Sequence, residues 1–316
     1  MKVLFIGANC DNSRDGVIVK GIYNLISYYK IEIQKTYHFL EDYELKNDFD
    51  IPENFYDALV ICGTPWLWDQ FHKSSKYHNL LKIIKSQSKA KVMFLGVGSC
   101  IGLQHINGNL CEDDEHQLGI RNLFEGHTVI ARDSLFHKKL LKSKVVSHLL
   151  PCPSFFCYLD DENNIESANN ILLWCDPTKC ISSCDWQNEI SIKNYIDIFQ
   201  EFYKNYQPHV YCAERADINM ALQAGLPEPQ LLNSWTDTLQ VMKKANYVLS
   251  GRIHCLVPAF VLNKPVSIVP LDSRHMVLSE YGCPLTYDTN LQFGNIAIKL
   301  EKYLQEYGEI LLGFFK

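Results

Sequence analysis

Short apolar runs rich in β-branched residues alternate with amphipathic stretches along most of the chain. Buried strands separated by helices with one apolar face give this pattern, which is typical of a parallel α/β sheet. In the first half, the strand-like runs are Lys2 to Ile6, Ala58 to Cys62, Val92 to Leu95, Thr128 to Ala131 and Val145 to Leu150. The helical stretches between them are Gly16 to Tyr29, Lys76 to Ser86, Asp114 to Phe124 and Asp133 to Lys142.

The alternation restarts after a turn-rich, acidic passage, PCPSFFCYLDDENNIESANN, which we interpret as a linker. Beyond it, the strand-like runs are Ile171 to Trp174, His209 to Cys212, Tyr247 to Leu249 and Val266 to Val269. The helical stretches are Ile190 to Tyr206, Ala216 to Ala224, Trp235 to Ala245 and Ile253 to Leu262. The chain then has an amphipathic stretch, Leu291 to Tyr307, and an apolar tail, LLGFFK, which we expect to pack on another part of the protein.

The pattern therefore predicts an α/β protein with two domains whose parallel sheets face a central cleft. The predicted domains are residues 1–155 and 168–290, and residues 291–316 form a C-terminal helix that returns to the first domain. Ligands bind open α/β sheets at the carboxyl ends of the strands, so we expect the functional residues in the loops there.

One turn of the second domain carries groups suited to an anion. In YVLSGRIHCLVPAF, Ser250-Gly251 separates a strand from a helix, so that Arg252 and His254 lie in the first helical turn. The helix dipole and the forked guanidinium favour phosphate or carboxylate, and a histidine transfers protons near neutral pH. The alternative is structural: the arginine pairs with a carboxylate across an interface, and the histidine belongs to the core.

Loops of the first domain offer further candidates for the same cleft. GTPWLWDQF places Trp66 and Trp68 beside Asp69, and indole surfaces suit sugars, although loop tryptophans also pack inside their own domain. Arg132 follows a strand and begins a helix, and its neighbour Asp133 is equally suited to cap that helix. The glycines of GVGSCIG would let backbone N–H groups approach an anion, but a pyrophosphate fingerprint is absent.

Composition narrows the classes of partner. With 47% hydrophobic residues, the 316-residue chain can bury sizeable cores, and its formal net charge of −6 argues against a nucleic-acid or anionic-membrane surface. The apolar run in MKVLFIGANC is too short for a signal or membrane segment, so we expect a cytoplasmic protein without stable membrane insertion.

The 12 cysteines are scattered through apolar contexts, which predicts reduced, buried thiols. The cluster Cys175, Cys180 and Cys184, with Cys152 and Cys157 upstream, is the one candidate for zinc. Because the sequence has no CxxC knuckle there, we expect no bound metal.

Several of these motifs resemble the polysaccharide pyruvyl transferase family. The segment ANYVLSGRIHCLVPAFVLNKPVSIVPLDSRH is similar to its C-terminal signature, an arginine-x-histidine turn, a GKP-like helix end and an Asp after the next strand. These are here Arg252, His254, Lys264-Pro265 and Asp272. TVIARDS resembles the family's arginine-aspartate turn and places Arg132, and DALVICGTPWLWD and LFIGANCDN resemble its first-domain loops. The order of the motifs fits nearly the whole chain.

The resemblance implies that both domains are Rossmann-like and that their parallel sheets face a central cleft in a GT-B-like arrangement, with the acceptor on the first domain and the donor on the second. It implies phosphoenolpyruvate as donor, a sugar of a cell-surface or secreted polysaccharide as acceptor and a pyruvate ketal as product. The arginines supply positive charge in this scheme, so no metal or cofactor is required. The sequence is also compatible with a homo-oligomer.

Roles for individual residues follow from the resemblance and from the residue types. The catalytic candidates are His254, Asp69 and Asp11; the phosphoenolpyruvate-binding candidates are Arg252, Arg132, Gly251 and Ser250; and the acceptor-binding candidates are Trp66, Trp68, Gly63 and Thr64. Two loops depart from the family pattern, because Cys62-Gly63-Thr64-Pro65 stands where several glycines are usual and Cys10-Asp11-Asn12 replaces a glycine-aspartate pair. Both departures concern the acceptor.

Two other functions fit the same architecture. One is a nucleotide-sugar glycosyltransferase, with base or ribose contacts from the loops around Asp272 or Glu214. The other is a non-catalytic glycan- or phosphate-binding relative. Ser273-Arg274-His275 is a further basic cluster near the predicted cleft, or else a solvated turn.

Overall fold

The computed structural model describes residues 1–7, 15–39, 51–68, 71–102, 114–159, 172–175, 189–213, 215–226, 228–287, 293–294 and 299–316. Within these ranges the chain forms two parallel sheets flanked by helices, each sheet with its helices being called a lobe below. Three candidates from the sequence, Asp11, Asp69 and Glu214, lie outside the described residues.

The sheet of the first lobe has seven strands among the described residues. They are β1 (Lys2–Gly7), β2 (Gln34–Phe39), β3 (Ala58–Cys62), β4 (Pro65–Leu67), β5 (Lys91–Ser99), β6 (Thr128–Ala131) and β7 (His148–Leu149). Their order is β2-β1-β3-β5-β6-β7, β4 pairs with β5, and the pairings are parallel. Its helices are α1 (Gly16–Tyr28), α2 (Ser75–Ser86), α3 (Asp114–Phe124) and α4 (Ser134–Lys142). The central strand β3 is buried along its whole length, as expected for a parallel sheet covered on both faces.

The sheet of the second lobe is smaller and is also parallel. Its strands are β8 (Leu172–Cys175), β9 (His209–Cys212), β10 (Gln230–Leu231), β11 (Tyr247–Ser250) and β12 (Val266–Ile268), in the order β10-β9-β8-β11-β12. Its helices are α5 (Glu189–Tyr206), α6 (Arg215–Gln223), α7 (Trp235–Lys244), α8 (Ile253–Val261) and the short α9 (Met276–Ser279).

The start of the predicted linker is part of the core rather than an exposed connection. Residues 151–158 are all buried, and Pro153–Phe156 forms a 3₁₀ turn that packs against α1 and α8. The amide of Asn24 in α1 donates to the carbonyl oxygens of Phe156 and Cys157 at 2.8 and 3.0 Å, which fixes this turn to the first lobe. The predicted boundary at residue 155 lies in this turn, whereas the one at residue 168 lies within residues 160–171, which are outside the described chain; both boundaries stay predictions.

The last helix, α10 (Glu301–Phe315), contacts the first lobe. The hydroxyl of Tyr307 donates to the carbonyl oxygen of Pro151 at 2.7 Å, and the Lys91 ammonium donates to that of Phe314 at 2.9 Å. Tyr307 is fully buried, so the apolar face of α10 is covered by this contact.

Gly21 gives a test of how tightly α1 packs on the 3₁₀ turn. A Cβ at this position would lie 1.9 Å from the carbonyl oxygen of Pro153, so Gly21→Ala forces the two elements apart. We expect a loss of about 1–3 kcal/mol in the free energy of unfolding, measured by chemical denaturation. Gly313→Ala in α10 is the matched control, because a Cβ there meets nothing within 4 Å. It should be neutral or stabilise by up to about 1 kcal/mol, and equal effects of the two substitutions would contradict this packing.

Candidate active site

A cavity of about 80 Å³ lies between the two lobes at the carboxyl ends of their strands. The first lobe contributes Asp15, Pro65 and Arg132 to its wall, and the second contributes Gly251, Arg252, Ile253, His254, Arg274 and Val277. The two arginines and the histidine singled out from the sequence therefore meet around one space. Their backbones reach it because β6 and β11 both end there.

Arg252 is held by its own turn and by a carboxylate of the same lobe. Its backbone N–H donates to Ser250 Oγ at 2.8 Å, and it is the N-cap residue of α8. Its guanidinium Nη2 lies 3.4 Å from Asp217 Oδ1 in α6, and the residue is only 5% exposed. The structural alternative expected a carboxylate partner across an interface, whereas Asp217 belongs to the same lobe, and Arg252 also lines the cavity.

His254 connects the two lobes. Its Nδ1 lies 3.0 Å from Asp15 Oδ1, at the start of α1. Because an ionised carboxylate only accepts hydrogen bonds, Nδ1 carries a hydrogen and donates it to Asp15. The other ring nitrogen, Nε2, lies 3.4 Å from Arg132 Nη1 and 3.9 Å from Cys152 Sγ. Nε2 is therefore the nitrogen that gains or loses the proton.

The surroundings of His254 and Cys152 shift both pKa values toward the charged forms. Burial lowers the pKa of His254, but the hydrogen bonds to Asp15 and Cys152 outweigh burial and raise it above its usual value. Burial raises the pKa of Cys152, but the hydrogen bond to His254 and the charges of His254 and Arg132 outweigh it and lower the pKa to about 7. The site can therefore hold a charged imidazolium near neutral pH.

Arg132 lines the cavity with a guanidinium whose hydrogen-bond donors are only partly paired among the described residues. The residue is 1% exposed, and its Nε and Nη2 have no hydrogen-bond partner among the described residues. Leaving buried polar groups of this kind unpaired is costly, about 1–3 kcal/mol each and more for charged groups, so the arrangement favours an anion that would accept from them. Arg132 is therefore the strongest single indication of a bound anion.

The neighbours of Arg132 explain its position. Asp133 caps α4 by accepting from the Phe136 N–H at 2.8 Å, and it also accepts from the Ser99 N–H at 2.8 Å. With its carboxylate committed to these donors, Asp133 leaves Arg132 to face the cavity. A Cβ at Gly98 would lie 2.6 Å from Arg132 Nε, so this glycine makes room for the arginine rather than offering its N–H to an anion.

A second cavity, of about 310 Å³, adjoins the first and shares Pro65 and Arg274 with it. Its other lining residues are Trp68, Ser74, Ser75, Lys76 and Cys100. Of the residues predicted for the acceptor, Trp68 lines this cavity, whereas Trp66, Gly63 and Thr64 are buried. Trp66 is fully buried and packs beside Trp68 at 6.3 Å between ring centroids, so it supports the half-buried indole of Trp68 and does not itself face the cavity.

Sequence reasoning missed Asp15 and Cys152 as neighbours of His254. Asp15 is 239 residues from His254 along the chain and Cys152 is 102, so no local pattern could pair them. Arg274 was recognised as basic, and the structure ties it to Asp272, whose carboxylate accepts from its Nε at 2.9 Å. Asp272 is 2% exposed and its carboxylate is already bound to Arg274, so it is poorly placed to bind a nucleotide ribose.

Among the described residues, no group of three or more histidine, cysteine or acidic side chains is placed to hold a metal ion. Of the cysteines proposed for zinc, Cys180, Cys184 and the side chain of Cys175 lie outside what the structure describes. Cys152 and Cys157 are fully buried, and neither forms a disulfide.

A sequence model described as polysaccharide pyruvyl transferase matches residues 13–273. The chain belongs to the polysaccharide pyruvyl transferase family. The protein is therefore a transferase of a class that modifies polysaccharides. No curated protein matches the sequence significantly. Among the described residues of this family member, no helix combines the length and hydropathy required to cross a bilayer.

Solved structures similar to this family member are GT-B-fold enzymes. A UDP-GlcNAc 2-epimerase from Methanocaldococcus jannaschii, in complex with UDP-GlcNAc and UDP, has a TM-score of 0.60 at 12% identity, covering 99% of this chain and 100% of that one. S. aureus MnaA, solved with UDP, has a TM-score of 0.53 at 12% identity, covering 98% and 87%. At this identity the likeness concerns the fold alone, and it confirms the predicted GT-B-like α/β architecture.

Asp15 sets the protonation of His254 in this geometry. In Asp15→Asn, an amide replaces the carboxylate that stabilises the imidazolium, so the pKa of His254 should fall. The measurement is a histidine-selective NMR titration, with the signal assigned by its absence in His254→Gln. Asp237→Asn is the control, because Asp237 caps α7 away from the cavity. A His254 midpoint that is the same in Asp15→Asn as in the wild type would contradict the inter-lobe contact.

Proposed function

We propose that this transferase moves a pyruvyl group from phosphoenolpyruvate to two hydroxyls of a sugar in a cell-surface or secreted polysaccharide. The observation that carries the proposal is the buried guanidinium of Arg132, with two N–H positions lacking partners among the described residues, beside a histidine in an inter-lobe cavity. Phosphoenolpyruvate has the two anionic groups and the protonatable carbon that such a site is suited to bind and activate.

The donor is proposed to lie between Arg132 and Arg252. A guanidinium offers paired donors that match the geometry of phosphate or carboxylate oxygens. Arg252 shares its charge with Asp217, whereas the Nε and Nη2 of Arg132 are without partners among the described residues, so we assign the donor phosphate to Arg132 and the carboxylate to the Arg252 side. Gly251 lines the cavity and Ser250 anchors the turn, so both are proposed to support the donor.

His254 is proposed as the acid that protonates the methylene carbon of the donor. Protonation makes the adjacent carbon electrophilic, the first sugar hydroxyl adds to it, phosphate leaves, and the second hydroxyl closes the ketal. Bound donor anions would stabilise the imidazolium by offsetting the charge of Arg132, which lies 3.4 Å from Nε2. The donor therefore stabilises the protonated form of His254, which is the form that gives the donor its proton.

The acceptor is proposed to occupy the larger cavity. Trp68 offers a flat apolar face for a sugar ring, and Lys76 lies 5.5 Å from the centroid of that face. The shared residues Pro65 and Arg274 put this cavity next to the donor. Asp69 and Asp11 remain proposed hydroxyl-activating bases from the sequence, since both lie outside the described residues.

No metal or other cofactor has a role in the proposed reaction. The charge that develops on the leaving phosphate would be met by arginines that are already positioned, which is how preorganised cations stabilise a transition state. We also propose a cytoplasmic site of action, because the donor is a metabolite of the cytoplasm.

The rival proposal is an enzyme that acts on nucleotide sugars. The M. jannaschii epimerase of the same fold was solved with UDP-GlcNAc and UDP. A nucleoside diphosphate would need a base and ribose site beyond the 80 Å³ cavity, and Asp272, proposed from the sequence for that contact, is bound to Arg274. The 80 Å³ cavity by itself therefore favours the smaller donor, whereas a nucleoside would have to extend into the adjoining 310 Å³ cavity that is proposed for the acceptor.

Substitution of His254 separates binding from chemistry. His254→Ala should lower kcat by ~10²–10⁴-fold, the usual value of a positioned general acid, while phosphoenolpyruvate still binds through the arginines. The measurements are phosphate release with a glycan acceptor and donor binding by calorimetry. His148→Ala is the control, because this histidine lies on the exposed edge strand β7. Unchanged turnover in His254→Ala would remove the histidine from the mechanism.

Ligand-induced stabilisation discriminates between the two donor classes. A ligand that binds only the native protein raises its melting temperature, so phosphoenolpyruvate should stabilise the wild type and UDP should not. Arg132→Gln should lose that shift, whereas Arg215→Gln, an exposed arginine at the start of α6, should keep it. Stabilisation by UDP but not by phosphoenolpyruvate would favour the rival.

A further inference from the structure

Cys152 carries a buried thiol that contacts the histidine of the site. Its Sγ is 3.9 Å from His254 Nε2, and the residue is fully buried. It does not line the cavity, so a ligand there reaches His254 but not the sulfur. Asp15, His254 and Cys152 form a continuous line, with the carboxylate on Nδ1 and the thiol on Nε2.

The position of Arg132 raises an electrostatic difficulty for a histidine that acts as an acid. A protonated Nε2 would lie 3.4 Å from a guanidinium nitrogen, so two positive groups would face each other in a buried site. Asp15 compensates this only at the far side of the ring, because its contact is with Nδ1. A negative group on the Nε2 side would remove the difficulty, and Cys152 is the ionisable residue in contact there.

We propose that Cys152 is a positioning residue that shares one proton with His254, and that its thiolate is the counter-charge which keeps Nε2 protonated beside Arg132. This inference relies on the proposed pyruvyl transfer for its kinetic consequence, but the sharing of the proton can be measured without any substrate. It adds to the mechanism a residue that neither the sequence motifs nor the family assignment supplies.

The proton balance of the proposed reaction is complete with this pair. The proton moves from Cys152 Sγ to His254 Nε2, which gives thiolate and imidazolium. The imidazolium gives it to the methylene carbon, where the electron pair of the double bond forms the new C–H bond. The first acceptor hydroxyl adds to the neighbouring carbon and returns its proton to Nε2. Phosphate then leaves with the electron pair of its C–O bond, the oxygen of the second hydroxyl forms the second C–O bond of the ketal at the same carbon, and the departing phosphate takes up the proton of that hydroxyl.

The other titratable groups near the pair do not supply the same charge. From α10, Tyr307 has a pKa raised well above its usual value by burial, so it stays neutral. Burial also raises the pKa of Tyr281, which follows α9. The cations Arg252 and Arg274 line the cavity, and each has an acidic partner, Asp217 and Asp272 respectively. Among the described residues, the thiol of Cys152 is therefore the group suited to balance Arg132 on the Nε2 side.

The decisive variant is Cys152→Ser, which keeps the size of the side chain and removes an ionisable group in the neutral range. NMR titration of His254 in the substrate-free protein should give a midpoint at least about one pH unit lower than in the wild type. In the pH profile of kcat/KM with phosphoenolpyruvate, the alkaline limb reports loss of the acid, so it should move to lower pH by the same amount.

Cys157→Ser is the matched control. Cys157 is equally buried in the same segment but packs with Val17, Tyr158 and Leu239, away from the histidine. In Cys157→Ser, His254 should titrate as it does in the wild type. A His254 midpoint in Cys152→Ser equal to that of the wild type, or a midpoint lowered as much in Cys157→Ser as in Cys152→Ser, would overturn the proposal.

A second measurement does not depend on the folding of a Cys152 variant. Ultraviolet thiolate absorbance of the wild type at neutral pH should exceed that of His254→Gln, because the imidazolium that stabilises the thiolate is gone. Equal absorbance in the two proteins would overturn the shared proton. If the His254 midpoint falls as expected and yet no variant, wild type included, transfers pyruvyl groups, the proposed donor is wrong and the assignment of Cys152 stands.

Discussion

The structure depends on a buried positive charge at the junction of the lobes. Arg132 is almost completely buried, and two of its N–H groups lack partners among the described residues. A packed protein does not gain stability by keeping a guanidinium in this state, and a bound anion would offset the cost. The remaining features of the site follow from this constraint: a glycine that makes room for the arginine, an aspartate occupied elsewhere, and a histidine that needs a counter-charge.

The site exists only where the two lobes meet. Hydrogen bonds that involve side chains of both lobes hold that seam: Ser99 Oγ and Ser273 Oγ lie 2.8 Å apart, and the Ile101 N–H donates to Ser273 Oγ at 2.9 Å. The Ser134 N–H adds a contact to the Glu280 carboxylate at 3.1 Å. Such bonds have narrow ranges of distance and angle, so they restrict the position of one lobe relative to the other. The cavity therefore has a defined shape although its wall comes from distant parts of the chain.

Local patterns predicted most of the elements because parallel strands buried on both faces give continuous apolar runs. β3, β6 and β9 have the bounds expected from the sequence, and the turn after β11 places Arg252 and His254 as expected. β2 was missed because its sequence, QKTYHF, is polar, as an edge strand permits. The expected strand from Val145 to Leu150 is reduced to β7, which is an exposed edge of two residues. Edge strands are thus predicted poorly, because they are less buried than central strands and need no continuous run of apolar residues.

The candidate site was predictable in its single residues but not in its pairings. A strand-to-helix turn constrains the residue that follows it, and so Arg132 and Arg252 could be assigned to the cleft before any coordinates. Which side chains neutralise them depends on contacts across the seam, such as Asp15 with His254 and Asp217 with Arg252, and on the buried turn that carries Cys152. That turn begins a passage whose composition is typical of a linker, yet its residues pack into the core because Gly21 and Gly96 leave space for Pro153.

The two ring nitrogens of His254 have different surroundings, and both affect its protonation. Nδ1 is bound to the first lobe through Asp15, whereas Nε2 faces Arg132 and Cys152 at the cavity side. Moving the lobes apart would remove Asp15 from the ring and would also widen the distance to Arg132, since both belong to the first lobe. The first change disfavours the imidazolium and the second favours it, so the protonation of the histidine depends on both contacts as well as on its burial. The contact of Asp15 with the ring, which favours the charged acid, exists where the lobes meet, and the same meeting of the lobes forms the cavity.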